Sequence, residues 1–214
     1  SSDLARGLVD PVWYKSENDR FYADYCAGRL DIIAYSEFVF SFLAQHEPAS
    51  LAAWHQCFMA EVIRPLMLPQ AQAVIEQHRA AGDRLLIITA TNRFITEPIA
   101  RAFGIPELLA TEPEQVDGRY TGKVIDTPCY KEGKITRFQR WLAQQQQDFH
   151  QVWFYSDSHN DLPLLQCVDH PVAVNPDDTL AQQARFSDRL KIELPDAASL
   201  PQTWVPSLIL QPLV

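Results

Sequence analysis

At 214 residues the chain is long enough to bury one well-formed core and to carry a smaller appended unit. Its formal net charge is −9 and its 18 lysines and arginines are scattered rather than gathered into a stripe, which argues against nucleic acid as a partner. The four cysteines form no CxxC pair, no apolar run approaches the ~20 residues of a bilayer span, and no signal-peptide pattern opens the chain, so zinc fingers, disulfide frameworks and membrane insertion give way to a reduced cytoplasmic protein.

In chain order, the pattern from about Pro11 to Arg64 is helical throughout. Asp31 is placed to cap a helix whose stripe is Ile32, Tyr35, Phe38, Val39, Phe42 and Leu43. Ser50 is expected to cap another, with Leu51, Trp54, Phe58, Val62 and Ile63 on one side, ending at Arg64-Pro65. From Leu66 onward helices alternate with short apolar runs. Residues 70–81 read as a helix stopped by Gly82, and residues 84–89 (RLLIIT) as a buried strand. A helix then runs to Phe103 and Gly104, followed by a short run from Glu107 to Thr111. Val116 to Ile125 reads as a hairpin around Asp117-Gly118. Helix 132–147 carries Ile135, Phe138 and Leu142 and ends in glutamines that read as a solvated helix end. Strand 151–156 (QVWFYS), a short helix from Asp161 and strand 171–174 (PVAV) complete the pattern. Alternating helices and continuously apolar strands argue for a parallel sheet covered on both faces. The domain reading is a helical unit over 10–65, an α/β core over 66–199, and a Pro-rich tail over 200–214 with no assigned role.

Ligands of open α/β sheets collect beyond the carboxyl ends of the strands, so the residues after each strand are the candidates. RLLIIT runs into Thr89-Ala90-Thr91-Asn92-Arg93, a turn whose hydroxyl and backbone N–H groups suit phosphate, or a simple helix cap. QVWFYS runs into Asp157-Ser158-His159-Asn160-Asp161. Two carboxylates four apart, with no companion Cys or His cluster, suit a hard oxygen-seeking cation such as Mg²⁺. Asp161 alone is equally explained as an N-cap; Asp157, just past an apolar strand, is not. His159 reads as an exposed loop residue. Lys134 stands in a helix's first turn, where a cation opposes the macrodipole, so either a specific partner holds it or it is a solvated surface lysine.

Together these pieces resemble the haloacid dehalogenase phosphatase superfamily, in the branch similar to phosphoserine phosphatase. Thr89 ends a buried strand like the family's second motif, Lys134 opens a helix like the third, and Asp157 to Asp161 follows a strand like the fourth, DxxxD. The helical segment before Leu66 stands where the family's type-1 cap does, and the likeness covers roughly residues 8 to 195. The resemblance implies a three-layer Rossmann-like parallel sheet with an inserted all-helical cap. It implies a Mg²⁺-dependent phosphomonoester hydrolase acting on a small-molecule phosphate ester through an aspartyl-phosphate. Thr89, Lys134 and Asn92 would then bind the phosphoryl group, with Thr89, Lys134 and Asp161 serving catalysis. Asp157 and Asp161 would serve the metal, Asp157 as ligand and Asp161 by orienting its water or Lys134.

One departure stands out. The family's first motif, DxDxT after a central strand, is missing: Asp3 is the only aspartate before the 10–65 helical unit, with no strand before it. The chain opens Ser1-Ser2-Asp3 without Met, as a truncated or processed sequence does, and the expectation is an inactive chain whose nucleophile and central first strand lie upstream. A non-catalytic phosphate-binding module and a phosphotransferase remain alternatives. The segment from Trp13 to Tyr22 mixes aromatic and polar groups: Trp13, Phe21, Tyr22 and Tyr25 read as that unit's core, and Asn18 and Arg20 as groups able to reach a substrate. Phosphoserine, histidinol phosphate and other small phosphates all fit, and nothing in the pattern fixes an oligomeric state.

Overall fold

The computed structural model describes residues 11–146, 149–193 and 212–213. Asp3 and all of the 200–214 tail except 212–213 lie outside them. Two compact units result, residues 1–66 with 113–124, and residues 67–112 with 125–214.

The first unit holds α1 (Pro11–Cys26), α2 (Ile32–Ala44) and α3 (Pro48–Phe58). Asp31 caps α2 as its position suggests, its carboxylate accepting from the Ile33 and Ala34 N–H groups at 3.0 Å. Phe40 and Leu43 are the deepest apolar residues of α2; of the expected stripe, only Leu43 is fully buried. Ser50 does not cap α3. The helix starts earlier because Pro48 supplies its first turn, and Glu47 is the boundary residue. A π-turn, Met59–Ile63, and one further turn, Arg64–Leu66, extend α3. The inserted residue rotates the face, so Met59 and Ile63 are buried while Val62 turns outward. Of the aromatics expected inside, Phe21 is buried, yet Trp13 and Tyr22 are more than half exposed. Arg20 is engaged with Glu17 at 2.7 Å and lies over the Phe21 ring.

The second unit continues with α4 (Pro69–Ala81), β1 (Leu86–Asn92), α5 (Arg93–Ala102), β2 (Glu107–Val116) and β3 (Arg119–Ile125). Gly82 takes φ +84° to close α4, a left-handed conformation that suits glycine. The two-residue turn between β2 and β3 has φ +50° at Asp117 and +78° at Gly118, the primed geometry that Asp-Gly favours. The tip of this ribbon belongs to the first unit. Arg119 grips both oxygens of Glu47 at 2.7 Å, and Gly122 lies against Ser41 and Ala44 of α2.

Beyond the ribbon follow α6 (Glu132–Ala143), β4 (Trp153–Ser156), a 3-10 turn (His159–Asp161), α7 (Leu162–Leu165), β5 (His170–Val174), α8 (Asp178–Arg185) and β6 (Lys191–Glu193). α6 stops at Ala143 rather than 147, because past Leu142 the glutamines offer no apolar face to bury. A two-residue strand, β7 (Pro212–Leu213), completes the sheet in the order β3-β2-β1-β7-β4-β5-β6. β1 with β2, β4 with β5, and β5 with β6 all pair in parallel. Leu85 to Thr89 is buried without a break, as a strand covered on both faces must be. One face packs Leu86, Ile88 and Phe154 against Phe138 of α6 and Leu164 and Leu165 of α7. On the other, Tyr155 donates to or accepts from His78 of α4 at 2.7 Å. The sheet has a seam at its middle. β7 runs antiparallel and meets β1 only at Leu86 and Ile87, and β4 only at Phe154. A small, partly open pocket lies where β1 and β4 begin, lined by Arg84, Leu86, Phe138, Trp141, Phe149 and Val152 among others. Among the described residues no helix is long and apolar enough to cross a membrane.

Candidate active site

Five sequence candidates all fall in the second unit: Asn92 ends β1, Lys134 is in the first turn of α6, and Asp157 and Asp161 follow β4, whereas Thr89, expected to end its strand, lies midway along β1 because the strand continues to Asn92. β4 ends at Ser156, whose hydroxyl accepts the Ser158 N–H at 3.1 Å and donates to Asp161 Oδ2 at 2.8 Å. That bond turns the chain back on itself and carries Asp161 under the strand end. Asp161 is 3% exposed and its other oxygen lies 2.6 Å from Lys134 Nζ. The carboxylate makes no capping bond to the helix that follows, so the N-cap explanation for Asp161 fails. Lys134, 4% exposed, has the specific partner that its place in a first turn demands.

A tight turn delivers Lys134. Gly133 N–H donates to Tyr130 O at 2.8 Å and Lys134 N–H to Lys131 O at 3.0 Å. A Cβ at position 133 would stand 2.1 Å from the Pro128 carbonyl oxygen, so only glycine fits. Just upstream, Cys129 is fully buried; burial pushes its thiol up to about 12, and the nearby Lys134 and Arg137 cations and the Thr89 N–H offset part of that rise. Cys129 thus bonds the Thr89 backbone and lies in the field of the Lys134–Asp161 pair, while its own N–H donates to the Thr111 hydroxyl at 3.2 Å. Thr89 is itself buried, and its hydroxyl accepts the Thr91 N–H at 3.2 Å.

Asp157 is the strained member electrostatically. Its Oδ1 is buried and has no hydrogen-bond partner. Burial first, then the Asp161 and Asp177 carboxylates, raise its carboxyl to about 7, against the opposing pull of Lys134 and a backbone N–H. A buried anionic oxygen with nothing to neutralise it suits a hard cation. Among the described residues no group of three or more His, Cys, Asp or Glu side chains converges to hold a metal, so Asp157 and Asp161 could supply only part of a donor set.

Asn92 stands slightly apart. Its side-chain oxygen accepts the Ile95 N–H at 3.1 Å and caps α5, which is the simpler of the two explanations for that turn. Lys134 and Asp161 are thus in contact, Asp157 lies in their field, and Thr89 joins through Cys129. Sequence reasoning passed over Ser156, Cys129 and Asp177. Only Ser156 had a visible signal, as the one polar residue of an otherwise apolar strand.

A helix-covered parallel sheet with a buried lysine–carboxylate pair past its strand ends defines a three-layer α/β core with its site at the carboxyl edge. The chain belongs to the haloacid dehalogenase-like hydrolase family, whose model matches residues 11–166. It is 45% identical over 186 residues to the histidinol-phosphatase of Neisseria meningitidis serogroup C, covering 85% of this chain and 84% of that protein. Phosphoserine phosphatase SerB1 of Mycobacterium tuberculosis is 30% identical over 162 residues, covering 76% of this chain but only 50% of that relative. Among solved structures, a Bordetella pertussis Tohama I protein described as of unknown function matches with a TM-score of 0.80 at 45% identity, covering 86% of this chain and 84% of the other. A phospho-aspartyl intermediate analogue of phosphoserine phosphatase matches with a TM-score of 0.58 at 13% identity, covering 89% of this chain and 84% of that one, a likeness of fold alone.

Proposed function

We propose that this chain is the greater part of a Mg²⁺-dependent phosphomonoester hydrolase acting on a small metabolite phosphate, of the histidinol phosphate or phosphoserine kind. The carrying observation is the buried Lys134–Asp161 pair at 2.6 Å beside Asp157, whose Oδ1 is buried without a partner. The names of the relatives from Neisseria and Mycobacterium point the same way.

In this reading Asp157 and Asp161 hold the metal, Asp157 directly and Asp161 mainly through Lys134. A Mg²⁺ held by these two carboxylates would supply the positive charge that offsets the phosphoryl group's own. Thr89 donates its hydroxyl to a phosphoryl oxygen, Lys134 pairs with the same group, and Asn92 sets the first turn of α5 beside it. None of these side chains is a nucleophile with a base beside it, so the phosphoryl acceptor in this reading is an aspartate upstream of Ser1, transiently phosphorylated. The seam in the sheet supports that assignment: β1 and β4 are bridged only through the two residues of β7, so the middle of the sheet is its least paired part. The same lack of a nucleophile favours one rival, a module that binds phosphate without turning it over.

Phosphate release from histidinol phosphate and phosphoserine, with and without Mg²⁺, separates the readings. The 214-residue chain is expected to be inactive and a version extended upstream active, and Asp157→Asn in the extended form should weaken Mg²⁺ dependence ~10–100-fold. Metal-dependent turnover by the short chain would place the nucleophile inside it. Phosphate binding without turnover by both forms would favour the binding module.

A further inference from the structure

The loop 157–161 is tied internally at Ser158, Asn160 and Asp161. Ser158 N–H bonds Ser156 Oγ at 3.1 Å, Asn160 N–H bonds Ser158 Oγ at 3.3 Å, and Asp161 N–H bonds Ser158 O at 3.0 Å. The peptides of Asp157 and His159 are held from elsewhere, by a single residue of the next strand-to-helix connection. Asp177 donates its backbone N–H to the Asp157 carbonyl at 2.8 Å. Its Oδ2 accepts the His159 N–H at 2.8 Å and lies 2.8 Å from His159 Nδ1. Its Oδ1 caps α8 through the Leu180 N–H at 2.8 Å, which immobilises the carboxylate that does the gripping. Just upstream, Asn175 has φ +46° and is followed by Pro176, so the chain enters this brace already bent and stiffened.

We infer that Asp177 is a positioning residue: by clamping the backbone on both sides of Ser158 it holds the Asp157 carboxylate toward the cation. The inference rests on the reading of Asp157 as a metal ligand. A carboxylate whose inner oxygen is buried and unbonded gains by turning toward water or another donor, so its direction must be fixed through its backbone. His159, which looked like an idle loop residue, is one arm of that clamp. Its ring donates Nδ1–H to the Asp177 carboxylate, which can only accept.

Asp177→Ala removes the carboxylate's grip on His159 and the helix cap together, while the backbone N–H that holds the Asp157 carbonyl remains. Asp177→Ser separates them, because serine caps a helix start about as well as aspartate but is too short to reach His159. The experiment is Mg²⁺ titration calorimetry on the 214-residue chain and on its Asp157→Asn and Asp177→Ser variants, with thermal melting of each. Asp177→Ser is expected to weaken Mg²⁺ binding ~10-fold while its Tm stays close to that of the unsubstituted chain. If Asp157→Asn weakens binding and Asp177→Ser leaves it unchanged, the positioning role falls and the metal assignment stands. If the unsubstituted chain binds no Mg²⁺, or Asp157→Asn binds it equally well, the metal assignment falls and the positioning role with it.

Discussion

Lys134 and Asp161 are each almost fully buried, so the energetics of their contact are those of an interior ion pair. Breaking such a pair leaves one charge stranded, at a cost of ~3–5 kcal/mol, whereas replacing both partners with apolar groups costs far less. Lys134→Met should therefore lower the urea midpoint strongly, and Lys134→Met with Asp161→Leu should recover much of the loss. Equal midpoints for the single and double variants would contradict the buried pair. Asp157 makes a different prediction, because its carboxyl is raised to about 7 in the folded chain while an unfolded aspartate titrates near ~3.9. Between those values the folded state binds more protons than the unfolded state. Stability of the metal-free chain should consequently fall as pH rises through that window, by at most ~4 kcal/mol, and level off above pH 7. Asp157→Asn should flatten the profile. A profile of unchanged slope in that variant would assign the pH dependence to another group.

α6 shows how one element serves two tasks. Lys134 on its first turn pairs with Asp161, and Arg137 one turn later reaches Glu112 at 3.1 Å and the Thr127 carbonyl at 3.2 Å. Arg93 grips the same Glu112 carboxylate from α5 at 2.7 Å. The helix start is fixed by Gly133, so Gly133→Ala should force the Pro128 carbonyl aside and cost ~1–3 kcal/mol, read as a lower Tm. An unchanged Tm would mean that the turn has room to relax. The strands and helices of this half were legible because their signals are local: apolar runs bounded by Gly82, Gly104 and Asp117-Gly118. The end of β4 with Asp157 and Asp161 was legible for the same reason. What stayed hidden depends on partners distant in sequence. Asp177 becomes part of the site only because β5 lies beside β4, and Cys129 only because it bonds the Thr89 backbone. The start of α3 was misplaced at Ser50 because a proline at the first turn outweighs a good capping side chain two residues later, and Val62 was misplaced because a π-turn leaves no local signature.

At the scale of the molecule the sheet is two blocks, β3-β2-β1 and β4-β5-β6, joined through two residues of β7. Long-range pairing confined to so few residues contributes little cooperativity, so the blocks should open separately. Native-state hydrogen exchange followed by mass spectrometry should give distinct opening free energies for β1 and for β4 with β5. A single shared value would show that the face-covering helices, not the seam, govern unfolding. The acidic surface, with its net charge of −9, and the buried cationic Lys134 are compatible because the site's field is set by neighbours within a few ångströms, while distant surface charges are screened.

Cys129 makes the site its own opening sensor. Its thiol is wholly inaccessible and resists ionisation up to about 12, so an alkylating reagent has neither access nor a thiolate to attack while the core is closed. Cys26 and Cys167, both exposed, should label at once; Cys129 should label at the rate at which the layer between Thr89 and Lys134 parts. A ligand that binds only the closed form must slow that rate by 1 + [L]/Kd, ~100-fold at a hundred times Kd. The clock needs no turnover, so it reports metal or phosphate binding even in a chain that hydrolyses nothing.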